Sequence, residues 1–211
     1  MLGYTNTVAE GVWVAEPVFI PPKWRKPAPL GYANAIDSVG SVAAPLLAGF
    51  SLASVIIISD DAVNFRWPGA AILGLAIAAV TLVGAVQCAF NARQYIWSGT
   101  DVREWWPDME ENSKREQLLR AEQERAFYRW QTWTAWTRRT YEMGILALLA
   151  ALALALPPQH AMGIQGSLRW AGSGVAFAAC AGEVCWIAAN SWRASRQRRR
   201  NRKYVLSGVE K

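Results

Sequence analysis

The chain has 211 residues, of which 53% are hydrophobic and 18% charged, with a formal net charge of +6. The charges are bunched, and no charged side chain occurs in 40–59 or in 68–91. Apolar runs of about 20 residues match a hydrocarbon core about 30 Å thick. This composition excludes a soluble globular enzyme, a collagen-like or disordered chain and a disulfide-knotted scaffold.

Residues 1–40 form an N-terminal segment dotted with Pro17, Pro21, Pro22, Pro27 and Pro29. Proline restricts its own φ and the residue before it, so extended or polyproline-like backbone is expected. The segment is too apolar for a solvated tail, with Val12, Trp13, Val14, Val18, Phe19 and Ile20. Two readings stay open: a cytoplasmic segment lying at the membrane surface or under a neighbouring subunit, and a poorly ordered leader. Its start has no basic region followed by a sustained apolar run. No secretory signal is therefore read, and the first span is expected to direct insertion.

An all-α, polytopic membrane domain is predicted over 41–190. Its four transmembrane helices fall at about 41–59, 68–91, 140–156 and 170–190. The third has a short apolar core, Met143 to Leu156, and is expected to borrow length from the Trp-rich stretch before it. Lys and Arg test this layout, because cytoplasmic connectors carry an excess of them. With four spans, 20 of the 22 basic residues fall on one side and two, Arg66 and Arg169, on the other. Both termini and the middle loop are thus expected in the cytoplasm, with the chain in the cell membrane.

The middle loop predicts a cytoplasmic helix over about 108–139, a stretch with neither Gly nor Pro. Glu110/Lys114, Glu111/Arg115 and Glu116/Arg120 are opposite charges four apart, each worth a few tenths of a kcal/mol on an exposed helix. The loop is nearly neutral, which reads as a salt-laced helix face and not as a nucleic-acid surface. It is expected to lead into the third span, straight or with a bend near Arg138 and Arg139.

Helices in lipid associate where small residues let backbones approach. Gly174, Ala178 and Gly182 form such a stripe in the fourth span, Ala70, Gly74 and Ala78 in the second, and Ala44, Ala48 and Gly49 in the first. A compact four-helix bundle is expected, with any conducting path shared among several subunits. Most of the 12 tryptophans fall near span ends, Trp67 and Trp170 outside and Trp97, Trp130, Trp133, Trp136 and Trp192 inside. They read as an interfacial belt. Cys88, Cys180 and Cys185 lie in spans and read as small packing residues.

Two acids fall within spans, where an ionisable side chain is costly and needs a partner. For Glu142 the partner is Arg138 or Arg139, one turn earlier. For Glu183 it is a basic residue of the tail, such as Arg193, or a polar group such as Gln87, with ion or proton movement as the other reading. The cytoplasmic tail, 191–211, holds Arg193, Arg196, Arg198, Arg199, Arg200, Arg202 and Lys203 with no acid among them. Such a cluster directly after a span attracts anionic lipid headgroups, and nucleic acid is not expected. With a single histidine, His160, and no Walker lysine, HExxH or CxxC, neither catalysis, a metal site nor a cofactor is expected.

The run Pro45-Leu46-Leu47-Ala48-Gly49-Phe50-Ser51 resembles the Ser-Ala-Leu-Leu-Ser-Gly-Phe-Ala run in the first span of the Orai family of calcium-release-activated channels. Trp67-Pro68-Gly69 resembles the aromatic-Pro-Pro-Gly opening of that family's second span, while the third and fourth spans match in topology only. The resemblance implies a homo-oligomer with the first span near the axis. Phe50, Ala53 and Ile57 would then line an apolar constriction, with Asp60 and Asp61 at the outer mouth. Ile57 stands where the family has its selectivity glutamate, and Val42 and Ser38 stand near its inner basic section. Calcium selectivity by the family's mechanism is therefore not implied. The two functions carried forward are an oligomeric channel and a non-conducting scaffold whose long helix and basic tail recruit a cytoplasmic partner.

Overall fold

The structure, a computed structural model, describes residues 3–9, 12–18, 23–27, 30–110, 113–159 and 163–207. Side chains are described for 23–27, 30–110, 113–159, 163–193 and 195–196. Strands β1 (Gly3–Ala9) and β2 (Val12–Val18) pair antiparallel, Gly3 opposite Val18 and Ala9 opposite Val12. Residues 3–9 and 12–18 of the N-terminal segment are thus paired strands, while Pro21, Pro22 and Pro29 lie outside the described residues. Apart from this hairpin and one isolated bridge, every regular element among the described residues is helical.

Helix α1 (Tyr32–Ser38) passes through a π-helical turn, Val39–Ala43, directly into α2 (Ala44–Asp60). The wide turn has a local cause. Pro45 has no N–H to give Ser41 and its ring crowds that carbonyl, so the helix loosens just before it. At Asp61, which follows α2, the Asn64 amide donates to Oδ1 at 2.6 Å, and a short 3-10 turn, Ala62–Asn64, follows. Helix α3 (Pro68–Arg93) starts on a proline whose missing N–H is no loss at a first helical position. Helix α4 (Gly99–Trp105) is short. Helices α5 (Lys114–Ala155) and α6 (Ile164–Ser207) run about 63 and 66 Å.

The expected helix over 108–139 begins at Lys114, because the Ser113 hydroxyl accepts from the Glu116 N–H and caps it there. It runs without interruption through Arg138 and Arg139 to Ala155. Glu116 and Arg120 pair at 2.8 Å. Glu110 precedes the helix, so it makes no helical pair with Lys114, and Glu111 lies outside the described residues. The helix is not a solvated rod. Glu116, Gln123, Trp130, Thr134 and Thr137 form a buried stripe that continues through Gly144, Leu148, Ala151 and Ala155.

Among the described residues three helices are long and apolar enough to cross a bilayer: the continuous run Tyr32–Asp60, then Pro68–Arg93 and Ile164–Arg193. The expected third span is the apolar end of α5, too short by itself to join them. It packs antiparallel to α3. A Cβ added at Gly74 would lie 2.9 Å from the Ala151 Cβ, and one at Gly144 would lie 2.6 Å from the Leu82 Cγ. Ala71, Leu75, Ala78, Leu148, Ala151 and Ala155 close the core between them, joined by Ile58 of α2, and Ala44, Ala48, Leu82 and Ala85 form a second cluster between α2 and α3.

The expected compact bundle is not what forms. Among the described residues helix α3 packs along both α2 and α5, α2 meets α5 only slightly, and α6 packs chiefly along α5, giving an open row α2–α3–α5–α6. The reason lies in which small residues are used. Gly40, Gly74 and Gly144 receive close neighbours, whereas added Cβ atoms at Gly49, Gly174 and Gly182 would meet nothing within 4 Å. At the short-loop end Phe65 bridges to Pro158, and Arg66 lies over both Trp67 and Trp170, 5.0 and 5.6 Å from the ring centroids. The Ser173 hydroxyl donates to the Ala153 carbonyl at 2.7 Å and fixes α6 to α5 near that end.

Candidate functional site: an aromatic and basic pocket at the long-helix end

Opposite the short loops, where α3 ends and α5 begins, the chain encloses a cavity of about 620 Å³. Its walls come from the Trp24–Pro27 strap, α1, the last turn of α3, the start of α4 and the polar half of α5. Gln123, 3% exposed, holds these pieces together. Its Oε1 accepts from the Arg25 N–H at 2.8 Å, and its Nε2 donates to the Arg25 and Trp97 carbonyls, each at 3.1 Å. One buried amide thus satisfies both backbone groups of Arg25 and one of the 94–98 connection, none of which could be left unpaired cheaply.

Helix α4 is set by a capping box. The Ser98 hydroxyl accepts from the Asp101 N–H at 3.2 Å, and the Ser98 N–H donates to the Asp101 carboxylate at 2.5 Å. Gly99 is needed next to it, since a Cβ there would meet the Trp24 indole at 3.0 Å. Trp24 and Trp97 pack edge to face at 6.2 Å, and Phe127 stacks on Trp130 at 5.2 Å. Trp97 and Trp130 were expected in an interfacial belt. Trp130 is instead buried, and both line the cavity, whereas Trp67, Trp136, Trp170 and Trp192 are exposed.

Four basic side chains border the cavity, Arg25, Lys26, Arg93 and Arg103, against two acids, Asp37 and Asp101. Arg93 is ion-paired with Asp37. Arg25 is hydrogen-bonded to Glu124, whose carboxylate raises the guanidinium pKa above its ordinary value. The lining combines aromatic walls with a few converging polar groups.

The residues named from the sequence lie elsewhere. Phe50, Ala53, Ile57 and Asp60 share one exposed stripe of α2, with Phe50 51% and Ile57 63% accessible, and Asp61 ends the helix. Glu142 pairs with Arg138 at 3.1 Å. Glu183 is half-buried and has no hydrogen-bond or ion-pair partner among the described residues. Arg193 and Arg196 are exposed, and the Arg196 guanidinium lies 3.5 Å from the Trp192 ring centroid. Arg198, Arg199, Arg200, Arg202 and Lys203 belong to α6, but their side chains lie outside those described. The described residues contain no group of three or more His, Cys, Asp and Glu suited to a metal.

The pocket itself was not foreseen. Ser98-x-x-Asp101 has capping-box spacing and could have marked a helix in the loop. Nothing in the sequence pairs Arg25 with Gln123, 98 residues away. The fold defines a class: a nearly all-helical chain with, among the described residues, three helices long and apolar enough to cross a bilayer. Comparison with known families, with curated proteins and with solved structures gives no match.

Proposed function

We propose that this is a four-span protein of the cell membrane that assembles with copies of itself into a channel with α2 beside the axis. The observation that carries the reading is the stripe Phe50, Ala53, Ile57 and Asp60. It sits on an end helix of an open row and is exposed along its length. The fourth crossing is supported by register, since Gly144 of α5 meets Leu82 in the middle of α3 and Ala151 meets Gly74 in its second turn. Cytoplasmic termini are supported by the 20 basic residues that the layout collects on one side. Repeated around an axis, Asp60 and Asp61 would concentrate cations at the outer mouth, above an apolar constriction of Phe50, Ala53 and Ile57. The resemblance of the first two spans to the Orai family agrees with this placement of α2.

The test is ion flux into liposomes holding the purified protein. Cation flux is expected to fall several-fold in Asp60→Asn/Asp61→Asn and to rise in Phe50→Ser. A ring of several subunits is expected in native-like membranes. Equal silence of all three proteins across voltage, pH and divalent ions would sink the channel. The second reading, a scaffold, would then stand on the polar halves of α5 and α6, whose lengths of about 63 and 66 Å far exceed a bilayer core.

A further inference from the structure

The run Tyr32–Asp60 is one continuous helix, yet its hydrogen-bond ladder is not uniform. At the turn Val39–Ala43 the Ala44 N–H donates to the Val39 carbonyl, five residues back instead of four. Just before it, the Val39 N–H is shared between the Ala35 and Ile36 carbonyls. Pro45, just after it, has no N–H to carry the ladder on. The Ser38 and Ser41 hydroxyls donate to the Asn34 and Asp37 carbonyls at 3.0 and 2.7 Å, a back-bonding that bends helices. A wide turn, a proline and two such serines thus fall together within 38–45, and each is a known cause of a helix bend.

The two arms that meet there are held by different means. Helix α2 packs on α3 through Ala44 and Ala48 against Leu82 and Ala85, and again through Ile58 near its far end. Helix α1 has a lighter hold. Ile36 is buried, Tyr32 meets the Trp130 ring edge to face at 6.0 Å, and Asp37 is ion-paired with Arg93. Between the arms Gly40 is buried so close to α3 that an added Cβ would overlap the Ala89 Cβ. A single close contact fixes where the chain passes α3, but not the angle at which α1 leaves it.

We propose that Val39–Ala43 is a hinge about the Gly40–Ala89 contact, on which α1 swings while α2 stays packed, and that the Asp37–Arg93 pair is its latch. Both latch side chains are half-exposed, and a pair of that kind is weak enough to open. The seven residues of α1 run about 10 Å. A kink of about 30° therefore moves its first residue by about 5 Å. Ala33, Asn34, Ile36 and Asp37 are the part of the cavity wall that α1 supplies, so the same swing opens the cavity. With α2 beside the axis, it also sets the width of the inner mouth. That last consequence rests on the channel reading; the hinge does not, and a silent liposome assay leaves it standing.

The experiment measures distances between paired spin labels in the full-length protein in lipid nanodiscs. Cys88, Cys180 and Cys185 are replaced by Ala, and labelled protein is diluted with unlabelled so that each distance lies within one chain. One pair, Ala35→Cys with Leu118→Cys, reports α1 against α5. The other, Leu46→Cys with Leu73→Cys, reports α2 against α3. All four positions are exposed. The parent is expected to give one narrow distance for each pair. In Asp37→Asn the α1 pair is expected to gain a second distance, shifted by about 5 Å, while the α2 pair is unchanged. The reversed pair Asp37→Arg/Arg93→Asp is expected to restore the single distance, which a change of shape alone would not do. Pro45→Ala, which returns a backbone donor to the turn, is expected to reduce the second population of Asp37→Asn at least threefold. Helicity by circular dichroism is expected to stay at the parent's value throughout. A single α1 distance in Asp37→Asn would overturn the latch, as would failure of the reversed pair to restore it. Displacement of both label pairs together would show that 32–60 moves as one rod. A second population that Pro45→Ala leaves unchanged would take the motion out of this turn and overturn the hinge.

Discussion

The two halves of α5 are buried along one continuous stripe, yet they are held in different ways. From Gly144 to Ala155 the stripe is made of small and aliphatic residues fitted against α3, with backbones close enough that glycine is required. From Glu116 to Thr137 the stripe is polar and aromatic, and there Gln123 binds backbone groups of the strap and of the 94–98 connection. The difference follows from the surroundings each half is built for. In the membrane setting proposed above, apolar helices gain nothing by leaving lipid, so cohesion there comes from close approach. Towards water, irregular backbone must have its hydrogen bonds supplied, and a buried amide with one acceptor and two donors supplies three at once.

The comparison breaks most visibly at Gly144. Replacing it by Leu drives a side chain into Leu82, and Thr81 Oγ1 is only 3.2 Å from where the added Cβ would sit. Overpacking of this kind costs about 1–3 kcal/mol and often more where backbone must move. The expected outcome is a thermal midpoint in detergent lowered by several degrees, with α3 and α5 exchanging amide hydrogens faster. Gly182→Leu in α6 is the control, since an added Cβ there meets nothing within 4 Å. Its stability is expected to stay within about 0.5 kcal/mol of the parent, as for substitutions at open positions. Equal damage from both would show that the closeness of α3 and α5 is not what holds the row together.

The polar half should fail differently. Gln123→Ala leaves the Arg25 N–H and the Trp97 carbonyl without their partner, at a cost of about 1–3 kcal/mol where such groups stay buried. Strap and connection can swing out to water, however, so the damage should be local. Hydrogen exchange at Lys23–Pro27 and through 94–98 is expected to rise at least tenfold, while the Gly144–Ala155 amides keep their protection. Loss of protection in both halves together would mean that α5 unfolds as one unit and that the two modes of cohesion are not separable.

The sequence made the apolar helices legible because 20 uncharged residues have few other uses, and it gave the end of α2 near Asp60 and the start of α3 at Pro68 closely. It also placed a small-residue stripe on each of the first, second and fourth spans, but such a stripe says that a helix can be approached, not by which neighbour. Gly74 is used and Gly174 is not, although both sit in runs of the same kind. The pairing of Glu142 with Arg138 is local, four residues along one helix, so spacing alone pointed to it. The pocket was illegible for the opposite reason. It depends on a contact between residues 98 apart and on Trp97 and Trp130 turning inward, while periodicity and span-end position describe them equally well as a surface belt.

The smallest expected effect sharpens the comparison within the strap itself. Arg25 is held twice, by its backbone through Gln123 and by its guanidinium through Glu124. The ion pair is solvent-facing, with side chains 51% and 31% accessible, and exposed pairs contribute about 0–1 kcal/mol, less as salt screens them. The sign of its pH dependence follows from the raised guanidinium pKa. A group whose pKa is raised by folding contributes fully below its ordinary value and loses that contribution only as pH climbs through the raised one. For Arg25 the ordinary value already lies far above neutrality and the folded one is higher still, so this group adds no pH dependence to strap protection around neutrality. Arg25→Gln is therefore expected to leave exchange at Lys23–Pro27 within about threefold of the parent at low salt and indistinguishable from it at about 1 M salt. The Gln123 amide still meets the same N–H and carbonyl in that variant, because both belong to the backbone. If Arg25→Gln freed the strap as fully as Gln123→Ala does, the side-chain pair and not the amide would be what closes the polar half of α5.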